Sequence, residues 1–126
     1  MNVAFVDTSF LIAFLRTNDQ FHGRAKAWAR RVLGELLTAD YVLLELVDAF
    51  SHPSLRRRAI QALASLRSNP RIRMVSASRD LMDEGLGFFE QHADKAWSLT
   101  DCISFSVMRG HAVQEALTTD RHFEQA

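Results

Sequence analysis

Residues 2–15 read "NVAFVDTSFLIAFL", and the parsing of this stretch decides the fold. Asn2 to Val6 is short and mostly apolar, as a strand buried on both faces is. Thr8 to Leu15 is apolar almost throughout and long enough for two helical turns. Asp7 stands at the junction. An Asp-Thr-Ser run directly before an apolar segment supplies an N-cap, so a strand, a tight turn and a helix follow one another without a loop. A cap accounts for Asp7 by itself. Thr8 or Ser9 could serve the helix equally well, leaving Asp7 to face outward from the end of the strand.

Outward from this unit the pattern alternates. Phe21, Ala25, Trp28, Val32 and Leu36 recur with helical period, which predicts a helix from Phe21 to Leu37 and a brief extended piece from Thr38 to Asp40. "YVLLELVDAFS" (41–51) reads as a largely apolar helix. "HPSLRRRAIQALASLRSNP" (52–70) reads as an amphipathic one that starts at Pro53 and stops at Asn69-Pro70. "RIRMVSA" (71–77) alternates as a half-buried strand does. Ser78 is placed to cap a helix running to Gln91, "HADKAWSLT" (92–100) is a loop, and Asp101 to Arg109 is a compact helix ended by Gly110. "VQEALTT" (113–119) leads through a short extended segment to Asp120. Strands alternating with helices imply an α/β fold with a mostly parallel sheet, and 126 residues suit one domain, 1–126. Sites in such sheets form beyond the carboxyl ends of the strands, which is where Asp7 falls.

Composition narrows the function classes. Fifteen basic and fifteen acidic residues cancel, which argues against a uniformly basic nucleic-acid binder but leaves room for a local basic face. All basic residues except Lys26 and Lys95 are arginine, the side chain suited to bidentate phosphate or carboxylate contacts. One cysteine, Cys102, excludes an internal disulfide and a cysteine-rich zinc site. No stretch approaches the ~18 apolar residues of a membrane span, and no signal peptide precedes the first strand, so a soluble, cytoplasmic protein is expected.

Four carboxylates stand out. Asp7 and Asp120 each follow a short apolar run. Asp101 opens a helix, where Thr100 or Ser98 could cap it and leave the acid in the first turn. Glu45 lies on a helix whose only other acid is Asp48, three residues on and on the same face. Singly, each has an ordinary explanation as a cap, a turn residue or part of a solvent stripe. Together they can converge on one cleft, where mutual repulsion needs protons or cations to offset it. An all-oxygen cluster without histidine or cysteine suits hard ions such as Mg²⁺ or Mn²⁺, and such ions serve phosphodiester hydrolysis.

At these residues the chain resembles a PIN domain, and within that family the VapC-type toxins of prokaryotic toxin–antitoxin pairs. "VDTSFLIAFL" (6–15), "YVLLEL" (41–46), "SLTDCISFSVM" (98–108) and "ALTTDRHF" (116–123) match its motifs in order and over essentially the whole chain. The resemblance implies a three-layer α/β/α sandwich and a metal-dependent endoribonuclease. Asp7, Glu45, Asp101 and Asp120 would hold one or two Mg²⁺ or Mn²⁺ ions. Water would attack the RNA phosphodiester in line, leaving 5′-phosphate and 3′-hydroxyl ends. Thr8 and Thr118 would orient the carboxylates, with Ser9 and Thr100 as lesser candidates. The expected partners are an RNA substrate, a cognate antitoxin and a second copy of the chain. Relatives usually continue a few residues past "HFEQA", so a clipped last strand is expected. A PIN-like nuclease of RNA processing without an antitoxin, and an inactive RNA- or protein-binding module, are the competing classes. The complete acid set weighs against the second of these.

Other polar residues carry weaker signals. Arg16 and Arg121 lie closest in sequence to the acids and are candidates for phosphate contacts. Arg30, Arg31 and Arg56 to Arg58 read as solvated helix faces. The histidines show no ligand spacing, and His122, two residues after Asp120, reads as structural. Asp94 could reach the cleft from its loop. Trp97 reads as an anchor of that loop, and Cys102 as a small buried hydrophobe.

Overall fold

The computed structural model describes residues 3–125, with side chains through Phe123. The elements in order are β1 (Val3–Val6), α1 (Thr8–Leu15), α2 (His22–Arg31), β2 (Glu35–Ala39), α3 (Asp40–Ala49), α4 (Arg56–Ser68), β3 (Ile72–Val75), α5 (Arg79–Gln91), α6 (Leu99–Gly110), β4 (Glu115–Leu117) and α7 (His122–Gln125). Asn2, expected at the start of the first strand, lies outside the described residues.

The four strands form one sheet in the order β3-β2-β1-β4, every pairing parallel. Phe5 pairs with Leu37 and Val6 with Leu117. Side chains alternate between the two faces of a strand, yet Leu37, Thr38 and Ala39 are all buried in succession, as are Phe5 and Val6. Helices therefore cover both faces, and the architecture is the three-layer α/β/α sandwich. Phe5, Leu37, Val42, Leu46, Phe50 and Ile103 form the main core. A second cluster of Phe88, Trp97, Cys102 and Phe105 closes the far side of α5 and α6, with Trp97 anchoring its loop there.

The structure departs from the sequence reading in four places. The helix expected across 21–37 stops at Arg31, and Leu36 and Leu37 belong to β2. Val32 turns extended at φ −75° and ψ 117°, and Gly34 follows. Leu36 continued the helical period by coincidence, while pairing with both β1 and β3 claims it for the central strand. Trp28, which shares the helical period of Phe21 and Ala25, is 52% exposed, and Ala25 is the residue α2 buries. Pro53 sits in the turn ahead of α4 rather than in its first turn. After α6, the left-handed residue is Ala112 at φ 53°, not Gly110.

Helices α5 and α6 approach most closely at Gly85. A Cβ there would run into the side chain of Ile103 and lie 3.3 Å from its Cα. Gly87, two residues on, has open space around it. Gly85→Ala is expected to destabilise the protein by about 1–3 kcal/mol through overpacking. Gly87→Ala should stabilise it by up to about 1 kcal/mol through helix propensity. Urea unfolding of both variants checks the pair, and a neutral Gly85→Ala would contradict the packing described.

Candidate active site

Because the sheet is wholly parallel, the carboxyl ends of its strands share one edge, and the chain leaves each strand there. Val6 and Leu117 are register partners, and the ladder continues one step further through the Asp7 amide donating to the Leu117 carbonyl at 3.1 Å. Asp7 and Thr118 are thus fixed side by side by strand pairing.

Asp7 is itself the N-cap of α1, its side chain accepting from the Ser9 amide at 3.4 Å. The expectation that Thr8 or Ser9 would cap while Asp7 pointed elsewhere is corrected: one carboxylate does both. Its Oδ2 also accepts from the Ser9 hydroxyl at 2.7 Å and the Thr118 hydroxyl at 2.9 Å. The Thr8 backbone amide adds a further hydrogen bond to this carboxylate. Asp7 is 3% exposed, and burial pushes its pKa above the ordinary 3.8. The Ser9 and Thr118 hydrogen bonds work against that rise, and the charge of Asp101 adds to it.

The orienting hydroxyls are Ser9 and Thr118. Ser9 also accepts from the Thr119 amide at 2.9 Å, and Thr118 from the Asp120 amide at 2.9 Å. Thr8, weighted above Ser9 from the sequence, is buried with its hydroxyl unpartnered. The legible signal was the i, i+2 spacing from an N-cap acid, which favours Ser9.

Asp101 occupies the first turn of α6 in a reciprocal capping box. The Ser98 amide donates to Asp101 Oδ2 at 3.1 Å, and the Asp101 amide to Ser98 Oγ at 3.0 Å. Ser98 is therefore the cap and Thr100 is not. Asp120 lies in the turn between β4 and α7. His122 Nδ1 is 3.3 Å from Asp101 Oδ2 and 3.3 Å from Asp120 Oδ1, so a proton on Nδ1 faces both acids. Ligand atoms of Asp101, Asp120 and His122 lie within 4.8 Å of one another. His122 is the residue that sequence spacing undervalued. Each of the other histidines directs Nδ1 to a nearby carbonyl or hydroxyl: His22 to Ala13, His52 to Ser54, His92 to Phe88 and His111 to Val107.

The remaining candidates fall elsewhere. Glu45 is half-buried on α3, with no hydrogen bond or ion pair among the described residues, and it does not join the Asp101–Asp120–His122 group. Asp48 is exposed. Arg16 ends α1, nine residues and roughly 13 Å of helix from Asp7. Its guanidinium donates to the Ala49 carbonyl at 2.8 Å and lies 5.1 Å above the Phe50 ring, so it ties α1 to α3. Arg121 is exposed next to Asp120. Asp94 is solvent-facing beside Lys95.

The donor set is chemically suited to a hard divalent ion. Two carboxylates lie within reach of one centre and Asp7 adds a buried third, the oxygen donors that such an ion takes, while the His122 imidazole is a softer donor beside them. An unpartnered buried hydroxyl, Ser104, sits three residues on from Asp101, on the same face of α6.

Residues 4–126 match the family model of the PIN domain. The chain is 32% identical over 123 residues to the 23S rRNA-specific endonuclease VapC20 of Mycobacterium tuberculosis, covering 97% of this chain and 92% of that protein. The crystal structure of VapC20, described as a Sarcin-Ricin loop cleaving toxin, has a TM-score of 0.90 at 29% identity and covers 98% of this chain and 94% of that one. VapBC2 from Rickettsia felis, solved bound to a DNA fragment from its promoter, has a TM-score of 0.68 at 13% identity over 98% of this chain and 92% of that one, a likeness of fold.

The electrostatics of Asp7 give a signed expectation. With a raised pKa, the folded state holds its proton more tightly than the unfolded state, so this residue's contribution to stability falls as pH climbs from 3.8. Asn caps a helix as well as Asp does. In EDTA at pH 7, Asp7→Asn should therefore melt above wild type, and the gap should close as pH falls toward 3.8. Thermal melts across that range test it, and a gap that widens toward acid would reverse the assignment.

Proposed function

The chain belongs to the PIN-domain family, and on that premise we propose that it is a metal-dependent endoribonuclease hydrolysing RNA phosphodiester bonds, the toxin of a toxin–antitoxin pair. The observation that carries the proposal is the convergence of Asp7, Asp101, Asp120 and His122 at one sheet edge. Relation to VapC20 over nearly the full length supports the same reading and makes ribosomal RNA the first substrate to test.

In this reading Asp7, Asp101 and Asp120 hold Mg²⁺ or Mn²⁺. His122 offers a further donor, and Glu45 of α3, outside the Asp101–Asp120–His122 group, enters the set on the resemblance alone. A bound ion supplies a nucleophile at neutral pH and stabilises charge on the phosphoryl oxygens. The chain's own residues preorganise the site. Ser9 and Thr118 hold Asp7 Oδ2 and so fix the carboxylate in place. The capping box fixes Asp101 on a helix, so neither acid has to be ordered when substrate arrives. Burial of Asp7 strengthens its demand for positive charge. Arg121, exposed beside Asp120, meets a substrate phosphate in this reading. Arg16 is instead held against the end of α3. The cognate antitoxin and a second copy of the chain are the proposed protein partners, and the cytoplasm the proposed place of action. No helix among the described residues is long and apolar enough to cross a membrane.

Wild type and Asp101→Asn, assayed on ribosomal RNA with Mn²⁺, Mg²⁺ or EDTA, test the reading. Cleavage should need the metal and fall at least about 100-fold in the variant. Mn²⁺ should raise the melting temperature of wild type more than that of Asp101→Asn. Cleavage that survives EDTA, or equal cleavage by both proteins, overturns the mechanism.

A further inference from the structure

Beside Asp120 a cleft of about 250 Å³ runs between α2 and the turn that follows β4. Phe10, Phe21, Arg24, Trp28, Asp120 and Arg121 line it. Three features set it apart from the rest of the surface. Trp28 is 52% exposed, a large ring left in solvent on a helix whose buried residue is Ala25. Arg24 and Arg31 flank it at i−4 and i+3, so cation, ring and cation share one side of α2. The Arg31 guanidinium lies 5.8 Å from the ring centroid, which steadies the indole. Asp120 belongs to the same walls, so whatever enters the cleft lies beside the acid edge.

We propose that this cleft is the subsite for the nucleotide neighbouring the cleaved phosphate, with its base stacked on Trp28 and its phosphates met by Arg24 and Arg121. The proposal rests on the ribonuclease reading and deepens it. The occupant follows from the chemistry of the walls. An exposed indole between arginines is a stacking platform set among phosphate-binding cations, the combination that single-stranded RNA uses. A chain neutral overall concentrates three arginines around one ring and one acid edge, so attraction to a polyanion is local. The volume is slightly below that of a drug-sized pocket and admits one base rather than a helix. A larger cleft of about 560 Å³ shares Phe10, Trp28 and Thr118 and continues past Arg31. It gives the strand a path away from the acids. Trp28 acts as a positioning and specificity residue, because it grips a base and never meets the reacting atoms.

The test measures binding apart from chemistry. A short fluorescein-labelled single-stranded RNA is titrated in EDTA against wild type, Trp28→Ala, Trp28→Phe and Arg24→Ala, and cleavage kinetics are measured separately with metal. Trp28→Ala should weaken RNA binding roughly 5- to 150-fold, the range for losing one stacked base, and Trp28→Phe should retain most of the affinity. KM should rise while kcat stays within about threefold. Arg24→Ala should lower the slope of log affinity against log salt by about one. RNA should quench tryptophan emission in wild type and not in Trp28→Phe, since the only other tryptophan, Trp97, is 5% exposed. Thermal melts confirm that the exposed-site variants are folded. If wild type neither cleaves nor binds RNA, the ribonuclease reading fails and takes this one with it. If wild type cleaves RNA while Trp28→Ala keeps the wild-type affinity and KM, the subsite is overturned and the reading stands. Trp28→Ala that loses affinity for a partner protein but not for RNA makes the cleft a protein-docking surface and likewise overturns the subsite.

Discussion

The hydrogen bond from the Asp7 amide to the Leu117 carbonyl is the last rung of the β1–β4 ladder, and the site depends on it. Parallel pairing places Val6 opposite Leu117. The next residues, Asp7 and Thr118, then have to be neighbours, and Asp120 follows within one turn. Everything else at the edge elaborates that constraint. The turn into α1 brings Ser9 over the same carboxylate, and α6 presents Asp101 from its first turn.

Gathering acids in this way has an electrostatic cost, and the fold meets it with dipoles instead of cations. Three groups donate to Asp7 Oδ2, all of them neutral. Asp101 accepts from the Ser98 amide and sits in the positive field of a helix start. His122 is the one titratable base drawn in, and it faces Asp101 and Asp120 together. No lysine or arginine salt bridge reaches these acids among the described residues, so the local negative potential is left for a ligand. The arginines stand one layer further out, around Trp28.

Much of this was legible from residue order, because strand, cap and helix signals are local. The strand–Asp–helix unit, the Ser78 cap and the run into Asp120 carry their signatures within a few residues. The boundary at Gly34 was not read, since Val32 and Leu36 happen to keep helical spacing and only sheet pairing reveals Leu36 as strand. The exposure of Trp28 was not read for the same reason: periodicity finds a stripe but cannot say that its widest ring overhangs the protein's edge. Ser9 and His122 were undervalued because their roles arise from contacts across the chain, to Thr118 and Thr119 for one and to Asp101 for the other. Arg16 looked close in sequence and is a helix-length away in space. Glu45 is the acid that the motif singles out and the contacts do not.

The bond from Thr118 to Asp7 spans 111 positions, and that of Thr119 to Ser9 spans 110. Contacts between such distant positions need nearly the whole chain to be present before they can close. On the ribosome the first half of the site emerges long before the second. A nascent chain therefore carries Asp7 on an edge strand with no β4 beside it, and its acids stay apart until residue 122 has cleared the exit tunnel. The order of synthesis thus leaves the cluster of acids incomplete until the segment after β4 has been made.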